Sequence, residues 1–132
     1  MSSAPFEMTV SVLPTDIDEQ NHVNNTVYLR WVQEVATAHW RAIASLEAQE
    51  TIGWVVLRHE IDYKASAAFG DQITLRTCVG KATRLTFERF TEIRRTSDGQ
   101  LLSKARTLWC PINTQTGRPA RAPAEVHAQF SI

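Results

Sequence analysis

Thr15-Asp16-Ile17-Asp18-Glu19-Gln20-Asn21-His22-Val23-Asn24-Asn25 runs straight into a helical pattern that begins near Thr26, and this junction decides how the chain is read. Beyond it, Val27, Tyr28, Trp31, Val32, Val35, Ala38, Ala42, Ile43 and Leu46 recur at three- and four-residue spacing, which predicts a helix with one buried stripe. The helix is expected to reach Leu46–Gln49, about five to six turns at 3.6 residues each, and to be the longest and central element. The Asn pair falls where an N-cap belongs, at an end that offers unpaired backbone N–H groups and a positive dipole. Two carboxylates, a histidine and two carboxamides therefore crowd a turn held by a rigid element, where binding and catalytic groups tend to sit.

On either side of this junction the sequence reads as strands. Before it, Phe6 to Leu13 alternates, with Met8, Val10 and Val12 on one face, and Pro14 closes the run. After the helix, Trp54–Tyr63 puts Val55, Leu57, His59, Ile61 and Tyr63 together, and Gln72–Gly80 does the same for Ile73, Leu75, Thr77 and Val79. Leu85–Arg94 and Leu101–Ile112 alternate similarly, while Phe69-Gly70-Asp71 and Ser97-Asp98-Gly99 supply turn chemistry. The tail after Asn113, with Gly117, Pro119 and Pro123, reads as irregular. One strand, a long helix and about four more strands argue for an α+β layer, an antiparallel sheet curled around the helix. Its open edges need cover, which a two-fold oligomer would supply.

At 132 residues, the chain is expected to be a single domain, 1–132, that can bury a core without disulfides or metal. Fourteen basic residues balance fourteen acidic ones, so no positive field points to nucleic acid. Cys78 and Cys110 lie far apart in strand-like surroundings, as reduced core thiols would, and a cytoplasmic setting is expected. The start, Met-Ser-Ser-Ala-Pro-Phe-Glu, has no export-signal pattern, and no apolar run reaches membrane-spanning length. Asp16, Asp18 and Gln20 sit at alternate positions as in a calcium loop, but Asn21 stands where glycine is needed and Val27 where the bidentate Glu belongs. No Cys/His spacing suits zinc, so no metal or organic cofactor is expected.

The pattern Asp16-x-Asp18-x-x-x-His22-Val23-Asn24-Asn25-x-x-Tyr28, the long helix and the antiparallel remainder resemble the hotdog-fold acyl-CoA thioesterases of the 4-hydroxybenzoyl-CoA thioesterase type. Tyr63, Gly70-Asp71 and Thr116-Gly117-Arg118-Pro119 extend the resemblance over nearly the whole chain. It implies a five-stranded sheet wrapped around one central helix, an acyl-CoA substrate, and a homodimer or homotetramer with sites at the subunit interface. It also implies that Asp18, the second aspartate of the pair, is the catalytic carboxylate. Three departures stand out: Asn21 replaces a common glycine, Glu34-Val35-Ala36-Thr37 lacks an arginine common in relatives, and Lys64-Ala65-Ser66-Ala67 lacks a proline.

Asp18 could attack a thioester carbonyl or deprotonate a water that does so; alternatively, Asp16 and Asp18 only shape a turn. A thiol with a pKa of about 8.5 leaves readily as thiolate, so one carboxylate and an oxyanion site suffice. Backbone N–H groups at Asn24–Thr26 are the natural donors to the carbonyl oxygen. His22, Asn24, Asn25 and Tyr28 are the supporting candidates, against roles in turn, capping and core. Lys81 and Arg84, within a basic-leaning strand pair that also holds Arg89, Arg94 and Arg95, are candidates for coenzyme A phosphates or simply solvated charges. The competing functions are a hotdog dehydratase with His22 as base and a non-catalytic acyl-CoA-binding module.

Overall fold

A computed structural model describes residues 4–130. The first three residues, part of the start that lacks an export-signal pattern, lie outside it. In chain order the elements are β1 (Phe6–Ser11), α1 (Asn25–Ile43), α2 (Leu46–Thr51), β2 (Ile52–Tyr63), β3 (Gln72–Ala82), β4 (Phe87–Arg95), β5 (Leu101–Asn113) and α3 (Ala124–Phe130), with a 3-10 turn at Pro14–Asp16. The strands form one sheet in the order β1-β3-β4-β5-β2, every pair antiparallel. This is the expected α+β arrangement, with β1 and β2 as edges.

The sheet packs on α1 through two clusters. Under the first half of the helix, Val27, Tyr28, Trp31, Val32 and Val35 meet Ile73, Leu75, Ile93 and Leu102. Burying each large apolar side chain contributes about 1.5–3 kcal/mol, so this is the main source of the fold's stability. Under the other half, Val79, Phe87, Val126 and Phe130 pack with Trp40, Trp54 and Trp109. Glycine is required where the β4–β5 hairpin turns, because Gly99 sits at φ +71°.

Three local readings are corrected. The helix stops at Ile43 and does not run on to Leu46–Gln49: Ala44 turns extended, and Ser45 Oγ accepts from the Ala48 N–H at 3.1 Å, starting α2 afresh. Gln49 Nε2 then donates to the Ala44 carbonyl at 2.9 Å, closing the break. In β2, Val56 faces Trp109 and Arg58 faces Leu108, so Leu57 is an extra residue that reverses the side-chain phase. Val55 and Leu57 consequently end 44% and 56% exposed, not on one face with His59 and Ile61. The tail contains α3, which buries Val126 and Phe130. Pro123 ahead of its first turn and the four-residue spacing of those side chains were the available signals.

Candidate active site

Between the 3-10 turn and α1 the chain makes a tight loop closed by an isolated bridge of Ile17 to Val23. Asp18 N–H donates to the His22 carbonyl at 2.8 Å, and Asn21 N–H to the Asp18 carbonyl at 3.1 Å. The loop closes because Asn21 takes φ +61°, a left-handed conformation that asparagine tolerates better than most residues. Asp18 is exposed, and its Oδ1 accepts from the Gln20 and His22 N–H groups at 2.9 and 3.1 Å. Those bonds fix the carboxylate while leaving Oδ2 free of protein donors among the described residues.

Asp16 behaves oppositely. It is 1% exposed, Oδ2 accepts from the Leu13 N–H at 2.9 Å, and Oδ1 pairs with Arg30 Nη1 at 3.1 Å. Hydrogen bonding from Asp16 holds the Arg30 guanidinium above its ordinary pKa, and Arg30 Nε also reaches Glu34 at 3.3 Å. The Asp16 carbonyl accepts from Asn24 N–H at 2.9 Å, tying the loop to the helix start. Asp16 is thus a structural clamp with no carboxylate surface to offer a ligand.

Asn24 is the N-cap of α1, its Oδ1 accepting from Thr26 N–H at 3.1 Å and Thr26 Oγ1 at 3.0 Å. Two of the amides expected as oxyanion donors, at Asn24 and Thr26, are therefore engaged, and the Asn25 N–H is the one left without an acceptor among the described residues. His22 and Asn25 are exposed beside it. Tyr28 lies in the core, 2% exposed, its hydroxyl accepting from Ala67 N–H at 2.9 Å, and burial raises its pKa. Its ring meets Tyr63 edge-on at 5.5 Å, and Tyr63 Oη donates to the Asn25 carbonyl at 3.3 Å. Asp18, His22, Asn24, Asn25 and Tyr63 thus gather at one end of the molecule.

Lys81 and Arg84 are not brought there. Gln72, at the start of β3, pairs with Ser11 beside the loop, whereas Lys81 lies at the strand's other end, about 30 Å away at 3.3 Å per residue. Among the described residues no group of three or more His, Cys, Asp or Glu side chains is placed to hold a metal ion. No helix among them is long and apolar enough to cross a membrane.

The sequence reading missed a second polar cluster. Arg89, grouped there with solvated strand charges, turns inward with Phe87, Thr91 and Ile93 and is 7% exposed. Its Nη1 donates to His39 Nδ1 at 2.9 Å and to Thr77 Oγ1 at 3.1 Å. Burial and the Arg89 charge push the His39 pKa down to about 4, and burial lowers that of Arg89 to about 10. The period-two phase of β4 could have shown Arg89 facing the helix, and His39, four residues beyond Val35 and seven beyond Val32, falls on the buried stripe of α1 by the same kind of signal.

A family model of the thioesterase-like superfamily matches residues 12–130. A chloroplastic palmitoyl-acyl carrier protein thioesterase from Gossypium hirsutum is 21% identical over 95% of the chain, which spans about a third of that relative's length (32%). Among solved structures, a 1,4-dihydroxy-2-naphthoyl-CoA thioesterase from Synechocystis is similar at TM-score 0.81 and 21% identity, covering 96% of each chain. A Thermus thermophilus thioesterase complexed with coenzyme A and Zn is similar at TM-score 0.80 and 22% identity, covering 93% of this chain and 94% of that one. The sheet and its central helix are the hotdog fold, and the chain belongs to the thioesterase-like superfamily.

Proposed function

We propose that the chain hydrolyses acyl-CoA thioesters to the free acid and coenzyme A, with Asp18 as the catalytic carboxylate. The observation that carries this reading is an exposed Asp18 held through Oδ1 by two backbone N–H groups, with Oδ2 open, beside a helix start that presents the unengaged Asn25 N–H. Asp18 Oδ2 attacks the thioester carbonyl, or takes a proton from the water that attacks it, while the Asn25 N–H and the helix dipole stabilise the carbonyl oxygen as it becomes an oxyanion. The C–S bond breaks and coenzyme A leaves as thiolate, which needs no dedicated acid; after direct attack, water then hydrolyses the Asp18–acyl anhydride, releasing the free acid and restoring the carboxylate. His22 and the Asn25 side chain flank the acyl carbonyl, and Tyr28 supports the site from beneath. The coenzyme A complex of the Thermus thermophilus relative supports that carrier as substrate.

The working form is proposed to be a homodimer formed through β2. That strand has twelve residues, no neighbouring strand on its outer edge among the described residues, and exposed Val55 and Leu57. Antiparallel pairing with a second β2 would bring the far end of one protomer to the Asp18 end of the other, within reach of Lys81 and Arg84 for the coenzyme A phosphates. The cytoplasm is the proposed compartment, in keeping with two unpaired cysteines.

Thiol release from a panel of short, long, branched and aromatic acyl-CoAs tests the reading against Asp18→Ala. Turnover in the wild type, lost in the mutant, is the expected result. A folded Asp18→Ala protein with near-normal turnover would sink the mechanism. Enoyl-thioester absorbance changing without free thiol would replace hydrolysis by dehydration, and tight acyl-CoA binding without turnover would leave a binding module.

A further inference from the structure

The interior under the second half of α1 has more hydrogen-bond donors than acceptors. Arg89 carries five N–H donors, of which only the two on Nη1 find partners, leaving Nε and Nη2 without acceptors among the described residues. Because arginine can only donate, His39 accepts through Nδ1, and its proton therefore sits on Nε2, which has no partner. The indole Nε1–H groups of Trp54 and Trp109 are likewise buried and unpaired. Buried donors are ordinarily satisfied, and a buried guanidinium ordinarily faces a carboxylate. Among the described residues the carboxylate that lines the same cleft, Glu88, is engaged by Arg106 and the Lys81 N–H.

Arg89, Trp54 and Trp109 line a single cleft with Trp40, Phe87 and Phe130. It encloses about 60 Å³, room for roughly five non-hydrogen atoms at about 12 Å³ each. Its wall on α1 reaches Trp40, some 22 Å along the helix from Asn25 at 1.5 Å per residue, so it is separate from the Asp18 site within one protomer. We propose that this cleft binds a free short-chain carboxylic acid, with its carboxylate on Arg89 and its hydrocarbon part between Trp40, Trp54 and Phe87. The guanidinium fork matches a carboxylate through two parallel N–H bonds, here from Nε and Nη2, the two nitrogens not engaged by His39 or Thr77. The aromatic wall takes the chain, and room for about five non-hydrogen atoms, two of them the carboxylate oxygens, limits the acid to about three carbons. The site does not depend on thioester hydrolysis.

Tryptophan emission reads it directly, because three of the four tryptophans line the cleft. Sodium propionate is titrated at constant ionic strength against sodium chloride, propan-1-ol and propylamine, with unfolding curves for every variant. The expected result is a saturable change with propionate alone, weakened at least about tenfold in Arg89→Gln, as loss of a charge-assisted bond would do. Trp40→Ala, which removes one wall of the cleft, should weaken it by a smaller factor, and Asp18→Ala should leave it unchanged. No saturable response, an equal response to chloride or propan-1-ol, or undiminished binding in folded Arg89→Gln overturns the proposal. If Arg89→Gln does not fold, undiminished affinity in Trp40→Ala does so. Loss of binding in Asp18→Ala would move the carboxylate to the loop and also overturn it. A thioesterase assay that fails leaves these outcomes untouched.

Discussion

The two ends of α1 handle polar groups in opposite ways. At the Asn25 end Asp16 is clamped by a backbone amide and an arginine, and Asp18 is exposed and oriented by neighbouring amides. At the Trp40 end, Arg89 and His39 are buried, and His39 Nε2 and the Arg89 Nε and Nη2 have no acceptor among the described residues. Local backbone can orient an exposed group at small cost to stability, whereas a buried charge weakens the fold unless something pairs with it. Chemistry and stability should therefore separate cleanly by residue at the first end and remain coupled at the second.

Asp18→Ala should show the largest effect on activity: thioester turnover falling by about 10²–10⁴ while the unfolding midpoint barely moves, because the lost bonds are exposed. A loss of several kcal/mol in chemical denaturation would make Asp18 a second structural clamp and erase the contrast with Asp16. At the other end, the largest effect on stability follows from His39. Its folded pKa of about 4 lies below the unfolded 6.5, so the unfolded chain binds the extra proton first. The stability that neutral His39 contributes is complete above pH 6.5 and disappears as pH falls toward 4, a change of about 3 kcal/mol at most. Burial lowers the His59 pKa too and acts in the same direction. Denaturant unfolding between pH 7.5 and 4 should show this slope, and His39→Phe should flatten it; an unchanged slope would mean that another group titrates.

Asp16→Ala comes next. It removes a buried carboxylate that accepts the Leu13 N–H and pairs with Arg30, whose side chain is 44% exposed and can re-solvate. The expected cost is about 2 kcal/mol, below that of a fully buried pair. Specific activity per folded molecule should fall far less than in Asp18→Ala. If the two mutants lost equal turnover while folded, the division of labour between the aspartates would be wrong.

Much of the near end was legible in the sequence because its structure is local. The Asp-x-Asp stretch, the Asn21 turn and the Asn24 cap are settled by bonds between residues two to four apart, and these are the contacts a linear reading sees. The antiparallel sheet was legible for a similar reason, since period-two alternation marks each strand. At the far end the phase of β4 was legible but the partners of Arg89 were not. The Leu57 bulge inverts the phase of β2 without any local cue, and Arg89 meets His39 across fifty residues. Spacing can place Arg89 on the helix-facing side of β4, but only the packed helix shows which partners that side chain meets.

The smallest effect tests how finely the helix start is built. Asn24→Ala deletes the acceptor for two Thr26 groups and should cost about 1 kcal/mol, with Asn24→Ser restoring most of it. The loss should not stay confined to stability. An uncapped first turn frays, and the Asn25 N–H moves with it, so turnover should drop by more than the folded fraction does. A drop carried by kcat would tie the cap to oxyanion stabilisation, because that contact strengthens as charge develops on the carbonyl oxygen. A drop carried by KM alone would mean that the helix start only holds the ground state, and the oxyanion donor would have to be sought beyond Asn25.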